Sequence, residues 1–302
     1  MNTLTIKQFR YFEALARFGH FGRAAEASAI SQPALSMQIK DLETTLGMAL
    51  FERGARQVRL TAFGEVFAAR VRDILRAVDE LHDLARAAQD HMTGRLRIGV
   101  IPTVAPYLLP TLLGNLAQGE GGLDLHVRET LTPRLLHELA EGKLDAAIVA
   151  LPVSEPSLAE VPLFAENFVL VRPIRDAMKP VPGRETLAEM RLLLLEEGHC
   201  FRDQALSFCG MGTARRQELL DASSLSTLVQ MVAAGIGVTL IPEMAVPVET
   251  RSAAVAIAHF PDPQPARTLG MVWRRTSPLA TQLGHLAETV RKAAAELQAR
   301  AP

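Results

Sequence analysis

Apolar positions in the first ninety residues recur at helical spacing. Ile6, Phe9, Phe12 and Ala16 share one face of a helix. A short second helix is predicted over 21–28, where Ala24 and Ala25 permit close packing. Ala29 and Ile30 then turn the chain. Ser31 can cap a third helix through its hydroxyl, and Pro33 fits a first turn, whose N–H groups lack intrahelical partners. That helix runs through Leu35, Ile39, Leu42 and Leu46 and stops at Gly47. Residues 50–53 and 58–61 read as two short strands with basic residues at their tip. From Phe67 onward the apolar positions are Val71, Ile74, Val78, Leu81, Ala85 and Ala88, in alternating steps of four and three. Such a heptad seam predicts a long helix paired with another helix, which points to dimerisation. Met92-Thr93-Gly94 is expected to break it.

Beyond residue 94 the pattern changes. Buried-type strands are predicted at 95–101, 123–129 and 145–151, alternating with helices at 106–116 and 133–144. A second set follows: strands near 168–171, 192–196 and 238–241, with a helix at 224–234. A strand at 267–273 and a helix at 278–297 close the chain. This alternation predicts a mostly parallel sheet with helices on both faces. The expected fold class is α+β and multidomain. It comprises a winged helix-turn-helix at 1–60, a linker helix at 61–92 and a regulatory region at 93–302, built as two α/β subdomains with a ligand-sized cleft between them. The sequence shows no internal repeat and no low-complexity tract.

Length and composition agree with this division. A chain of 302 residues is long for one core. Its 22% charged and 48% apolar residues are ordinary for a globular protein. No apolar run approaches the roughly 20 residues that cross a bilayer. The opening MNTLTIKQFRYFEAL lacks a basic segment followed by a long apolar one, so a cytoplasmic location and no membrane partner are expected. Residues 1–60 carry eight Lys and Arg against five Asp and Glu, a net +3 in a chain of net −1. Arg53, Arg56 and Arg59 cluster at the tip of the two short strands. The third helix presents Gln32, Ser36, Gln38 and Lys40, residue types that pair with base edges and phosphates. A three-helix bundle with a polar surface satisfies the same periodicity.

Cys200 and Cys209 are the only cysteines. On one helix their Cα atoms stand about 13 Å apart at roughly 1.5 Å per residue, whereas a disulfide needs them within about 7 Å. Bridging them would require the segment to refold, which makes the pair a candidate redox switch. A strand ending at Glu197 and a turn at Gly198 would put Cys200 at a helix N-terminus, where dipole and free N–H groups favour the thiolate. Two other readings stay open: two small core hydrophobes, or a metal site using His199, Cys200 and Cys209, one ligand short of closure. No Gly-rich phosphate loop or His-Glu metal spacing suggests an enzyme.

The run Phe9…Ala24-Ala25…Ser31-Gln32-Pro33-Ala34-Leu35-Ser36…Leu42-Glu43…Leu46-Gly47…Leu50-Phe51-Glu52-Arg53…Leu60-Thr61…Gly64 resembles the DNA-binding domain of LysR-type transcriptional regulators. The resemblance implies a recognition helix entering the major groove of promoter DNA from Gln32 and Pro33. Ser31, Ser36, Gln38 and Lys40 would stand beside them, with Arg53 in the wing. Met37 departs from the family, where Arg is frequent, so no operator sequence is implied. The resemblance also implies a regulatory region of periplasmic-binding-protein-like type. Its first subdomain would span about 93–163 and 267–302, its second about 164–266, since the last strand and helix return to the first. The segments Leu193 to Cys209, Ile101-Pro102-Thr103-Val104, Gly142-Lys143-Leu144-Asp145 and Ser277-Pro278-Leu279 resemble peroxide-responsive members of that family.

By that resemblance Cys200 is the peroxidatic cysteine and Cys209 the resolving one. Thr103, His199, Asp203 and Arg274 would support the peroxide site, together with Thr132 or Thr130. The implied protein is an activator of oxidative-stress genes, not an enzyme, without cofactor or metal. Its implied partners are double-stranded promoter DNA, RNA polymerase, hydrogen peroxide, a cytosolic thiol reductant and further copies of itself, as a homodimer or homotetramer. A metabolite-responsive regulator with incidental cysteines, or a thiol peroxidase, are the rival functions.

Overall fold

The computed structural model describes residues 3–53, 58–87, 94–117, 123–209 and 220–300. Two compact units emerge, Met1–Ala85 and Arg86–Pro302.

The first unit opens with α1 (Ile6–Phe18), α2 (Phe21–Ala27) and α3 (Gln32–Leu46). Ser31 Oγ accepts from the Ala34 N–H, Pro33 occupies the first turn, and Gly47 ends α3 in the left-handed conformation. Phe12, Leu15, Leu35 and Leu42 are fully buried where the three helices meet. The wing follows as an antiparallel pair, β1 (Phe51–Arg53) and β2 (Val58–Leu60). Glu43 ties it to α3, its Oε1 accepting from the N–H groups of Leu50 and Phe51. Then comes α4 (Ala62–Ala87), capped by Thr61, whose Oγ1 accepts from the Gly64 N–H. A Cβ on Gly64 would stand 2.1 Å from the Leu50 carbonyl oxygen, so only glycine lets α4 leave this close to the wing. The start of α4 packs in the first core through Phe63, Phe67, Ala68 and Val71. Further along, Ile74 and Leu81 are exposed. The expected break at 92–94 lies almost wholly outside the described residues.

The second unit runs β3 (Gly94–Val100), α5 (Ala105–Ala117), β4 (Leu123–Glu129), α6 (Thr132–Ala140), β5 (Ala146–Leu151), β6 (Leu158–Pro173), α7 (Arg184–Glu189), β7 (Leu193–Leu195), α8 (Cys200–Cys209), β8 (Leu220–Ala222), α9 (Leu225–Ala233), β9 (Thr239–Pro242), α10 (Val246–Glu249), β10 (Val255–His259), β11 (Ala266–Arg274) and α11 (Ala280–Arg300). Among the described residues the main sheet has seven strands, ordered β10-β6-β11-β5-β3-β4, with β9 also on β6. It is mixed, which corrects the mostly parallel expectation. β3 pairs in parallel with β4 and β5, but β6, β9, β10 and β11 join by antiparallel pairing. The mixture enters through β11, which comes from the far end of the chain and lies between β5 and β6, running against both.

Two hydrophobic cores divide this unit. One gathers β3, α5, α6, β5, β11 and α11, with Leu96, Leu108, Leu135 and Ile148 fully buried or nearly so. The other gathers the end of β6 with β7, α8, α9 and β9, around Phe168, Leu193 and Val229. β11 and α11 pack in the first of these cores. Tyr107 of α5 lies in the second core and donates to Glu249 of α10 at 2.6 Å, pinning one subdomain to the other.

Candidate functional site

In the first unit, the surface of α3 carries Gln32, Pro33, Ser36, Met37 and Lys40, all exposed. Gln32, Ser36 and Lys40 step by four and form one row along the helix. Ser31 belongs with them as the cap. Gln38 does not. Two positions past Ser36 it is rotated by about 200°, and it is half-buried. The backbone of Arg53 ends β1; its side chain and the whole of Arg56 lie outside the described residues. Met37, where the family often has Arg, is 58% exposed in the middle of this face.

In the second unit, β7 delivers the chain to Gly198, which has φ of 95°. A Cβ there would meet Leu131 at 2.9 Å, so the residue also lets the start of α8 approach the start of α6. Cys200 is the first residue of α8 and Cys209 the last, and both are free thiols. Cys200 is half-buried and packs against the first core; Cys209 is 3% exposed inside the second. One helix therefore spans from one core to the other and holds the sulfurs apart. His199 precedes it, so His199, Cys200 and Cys209 do not converge. Among the described residues no group of three or more His, Cys, Asp or Glu could hold a metal.

A cavity of about 570 Å³ opens where the subdomains meet. Thr132, Pro133, Leu136, His137 and Ala140 of α6 form one wall. Gly198, Cys200 and Asp203 form another, and Glu155, Ser157 and Leu158 complete it. The two threonine candidates separate here. Thr132 lines the cavity and its buried Oγ1 meets no partner, whereas Thr130 is not among the lining residues. Asp203 sits in the first turn of α8, where a carboxylate suits the dipole.

Thr103 and His199 are buried at 3% and 6% exposure and stand outside the cavity lining. Thr103 instead accepts from Arg267. Arg267 Nη1 donates to Thr103 Oγ1 at 2.8 Å, and Nη2 donates to the Thr103 carbonyl. The remaining face of the guanidinium meets Glu166 through Nε and Nη2. Register explains the pairing, because Arg267 of β11 lies directly opposite Glu166 of β6. Arg267 also stacks over the ring of Phe201, the residue after Cys200, at 5.4 Å. Arg274, expected to supply positive charge, is spent elsewhere. Its Nη1 donates to the carbonyls of Leu139 and Leu144, closing the end of α6. The buried cation next to the thiol segment is Arg267, which sequence reasoning overlooked. Its only signal was its place as the first residue of the strand predicted at 267–273.

Arg202 anchors α8 from within. It is 5% exposed, donates to the Leu195 carbonyl and reaches Asp221 of β8 at 2.6 Å. Phe201 packs edge-on to Phe168, and Phe208 to Phe260. Burial pulls the His199 imidazole down from its ordinary value, with the Glu196 carboxylate opposing, so the ring is held neutral at neutral pH.

Two family models cover nearly the whole chain. One, the bacterial regulatory helix-turn-helix protein of the lysR family, matches residues 6–65, and the other, the LysR substrate binding domain, matches 89–295. The chain belongs to the LysR family. This LysR-family chain is 45% identical to a probable hydrogen peroxide-inducible genes activator of Streptomyces viridosporus, over 98% of its length and 96% of the relative's. It is 42% identical to the DNA-binding transcriptional dual regulator OxyR of Escherichia coli K12, over 95% of both. A full-length OxyR variant from Pseudomonas aeruginosa superposes with a TM-score of 0.77 at 37% identity, covering 96% of this chain and 95% of the other. A Corynebacterium glutamicum OxyR mutant with hydrogen peroxide bound gives 0.69 at 35%, covering 98% and 94%. Among the described residues no helix is long and apolar enough to cross a membrane.

Proposed function

We propose that this chain is a peroxide-sensing, DNA-binding transcriptional activator, switched by a reversible disulfide between Cys200 and Cys209. The observation that carries this reading is a single helix keeping two free thiols in two different cores, one of them at a cavity. The names of its relatives support it.

The Cys200 thiolate attacks one oxygen of hydrogen peroxide. An S–O bond forms, the O–O bond breaks, and hydroxide leaves as water after taking a proton. The sulfur, oxidised by two electrons, is a sulfenic acid. The Cys209 thiol then attacks it, an S–S bond forms and a second water leaves. Thr132 and Asp203 serve the peroxide end from the cavity wall. Thr103 and His199 serve it from the buried side, with Arg267 in the part that the resemblance gave to Arg274.

A helical spacing of about 13 Å cannot meet the roughly 7 Å limit, so the second step requires α8 to unwind. Unwinding releases the Arg202–Asp221 clasp and the two aromatic contacts, and thereby the surface that this subdomain offers to a neighbouring copy. The switch is the difference in stability between two assemblies. Two DNA-binding units joined through α4 read half-sites about 34 Å apart, or a multiple. The α3 face (Ser31, Gln32, Pro33, Ser36 and Lys40) and the Arg53 wing meet the DNA, and the oxidised assembly recruits RNA polymerase. The protein acts in the cytoplasm as a homodimer or homotetramer, is reset by a cytosolic thiol reductant, needs no cofactor and is not an enzyme.

Peptide mass mapping after a brief, low dose of hydrogen peroxide tests this. A Cys200–Cys209 bridge is expected in the native chain and none in Cys200→Ser. A native chain that stays reduced while its promoters respond would remove the mechanism.

A further inference from the structure

Met37 lies on the outermost line of α3. The buried Leu35, Ile39 and Leu42 point one way from the helix axis. At about 100° per residue Met37 stands about 170° from their mean direction, turned straight away from the core. It is 58% exposed, and Pro33, one turn earlier on the same face, is exposed as well. Thr44 continues the line, and its hydroxyl folds back to donate to the Lys40 carbonyl at 2.8 Å. The outermost line of α3 is therefore mostly carbon, beside the polar row of Gln32, Ser36 and Lys40.

A lone apolar residue on a protein surface needs no explanation. This one sits in the first half of the second helix of a helix-turn-helix, the part of such a motif that contacts base edges. A methionine has no donor, and its thioether is a weak acceptor. It cannot make the paired hydrogen bonds by which Arg reads guanine or Gln reads adenine. The one apolar feature that a base offers in the major groove is the C5-methyl group of thymine.

We infer that Met37 is a specificity-determining residue that reads a thymine methyl in each half-site of the operator. The inference rests on α3 being the helix that meets the DNA. Gln32, Ser36 and Lys40 engage polar base edges and phosphates along one side of the helix. Met37, at its apex, closes on the methyl, and both groups shed water. Cytosine at the same position lacks the methyl and presents an amino donor. Neither Met37 nor Pro33 can accept that donor well, so it would lose its water without a good partner. The unbranched side chain adapts its shape to the methyl. Selectivity at this position thus comes from apolar contact, where its neighbours on α3 use hydrogen bonds.

The test uses the full-length protein and a random pool of double-stranded DNA, from which the native chain and Met37→Arg each select their sites. The native chain is expected to select a thymine at one position of each half-site, and Met37→Arg a G·C pair at that position. Deoxyuridine is then placed at the selected thymine, which removes the methyl and leaves every hydrogen-bonding atom in place. The native chain should lose about fourfold in affinity per half-site, the value of one methyl group taken out of water. Met37→Leu should keep this sensitivity, and Met37→Ala should bind both DNAs alike. The inference is overturned if the native chain and Met37→Arg select the same bases throughout. It is also overturned if deoxyuridine costs Met37→Ala as much as it costs the native chain, since another side chain would then hold the methyl. Either result leaves α3 as the DNA-reading helix. A native chain that enriches no sequence from the pool would sink that reading and this inference together.

Discussion

Cys209 is 3% exposed in the second core, and burial pushes its thiol up to about 11 from an ordinary value near 9, with Arg184 pulling weakly the other way. A resolving thiol that stays protonated cannot compete for the oxidant, so the order of events follows from burial alone. Iodoacetamide labelling of the reduced protein checks this. At pH 8 Cys209 should react about a hundredfold more slowly than an ordinary thiol, two units of pKa in thiolate fraction. Its labelling should climb only as the pH nears 11, and rapid labelling of Cys209 at pH 8 would refute the assignment. The stability that goes with this burial is fully present below pH 9, where folded and unfolded thiols are both protonated. It is lost as the pH rises through about 11, because only the unfolded thiol then ionises readily. The two cysteines stand out in the chain by their spacing, whereas Thr103, His199 and Asp203 come only from the resemblance to the family. Arg267 was legible in neither way, since its meaning comes from Glu166, which register brings opposite it from 101 residues away.

At the scale of elements, α8 is the part whose stability the switch works against. Ser207 is exposed near its end, so substitutions there change helix propensity with little else. Glycine costs a helix about 1 kcal/mol relative to alanine. For a two-electron couple 30 mV is about 1.4 kcal/mol, so the Cys200–Cys209 midpoint should differ by about 20 mV between Ser207→Ala and Ser207→Gly. The sign follows from the reduced state keeping the helix. Alanine stabilises that state and makes the disulfide easier to reduce, and glycine does the reverse. Redox titration in thiol–disulfide buffers measures it, and equal midpoints would mean that α8 persists after oxidation. Helices with clear caps were legible in the chain, as Ser31 and Gly47 show for α3. β6 was legible only over its last third. Pro162 and the loose apolar spacing of 158–167 hide a strand there. The structure tolerates Pro162 because that half of β6 pairs only with β11, at a bulge, where a missing N–H costs no second ladder.

At the scale of the whole molecule, α4 ends its own packing early. Val71 is buried in the first core, yet Ile74, Leu81 and Leu84 are 41%, 65% and 59% exposed. A seam that continues after its domain ends is a surface for a second copy. Leu81→Glu should shift the protein toward monomer in sedimentation velocity. It should also weaken binding to a two-half-site operator by about a hundredfold, the usual loss when linked contacts become independent. Undiminished self-association would place the dimer contact elsewhere. The chain by itself determined the local facts: where helices begin and stop, which face of α3 is polar, that two thiols stand nine residues apart. These rest on interactions within a few residues, and spacing encodes them. Only the tertiary structure decided that the two ends of α8 lie in different cores, that Thr132 rather than Thr130 lines the cavity, and that Arg267 rather than Arg274 meets Thr103 and the ring of Phe201. Those outcomes depend on which distant strands pair and in what register, and no short window of sequence contains both partners.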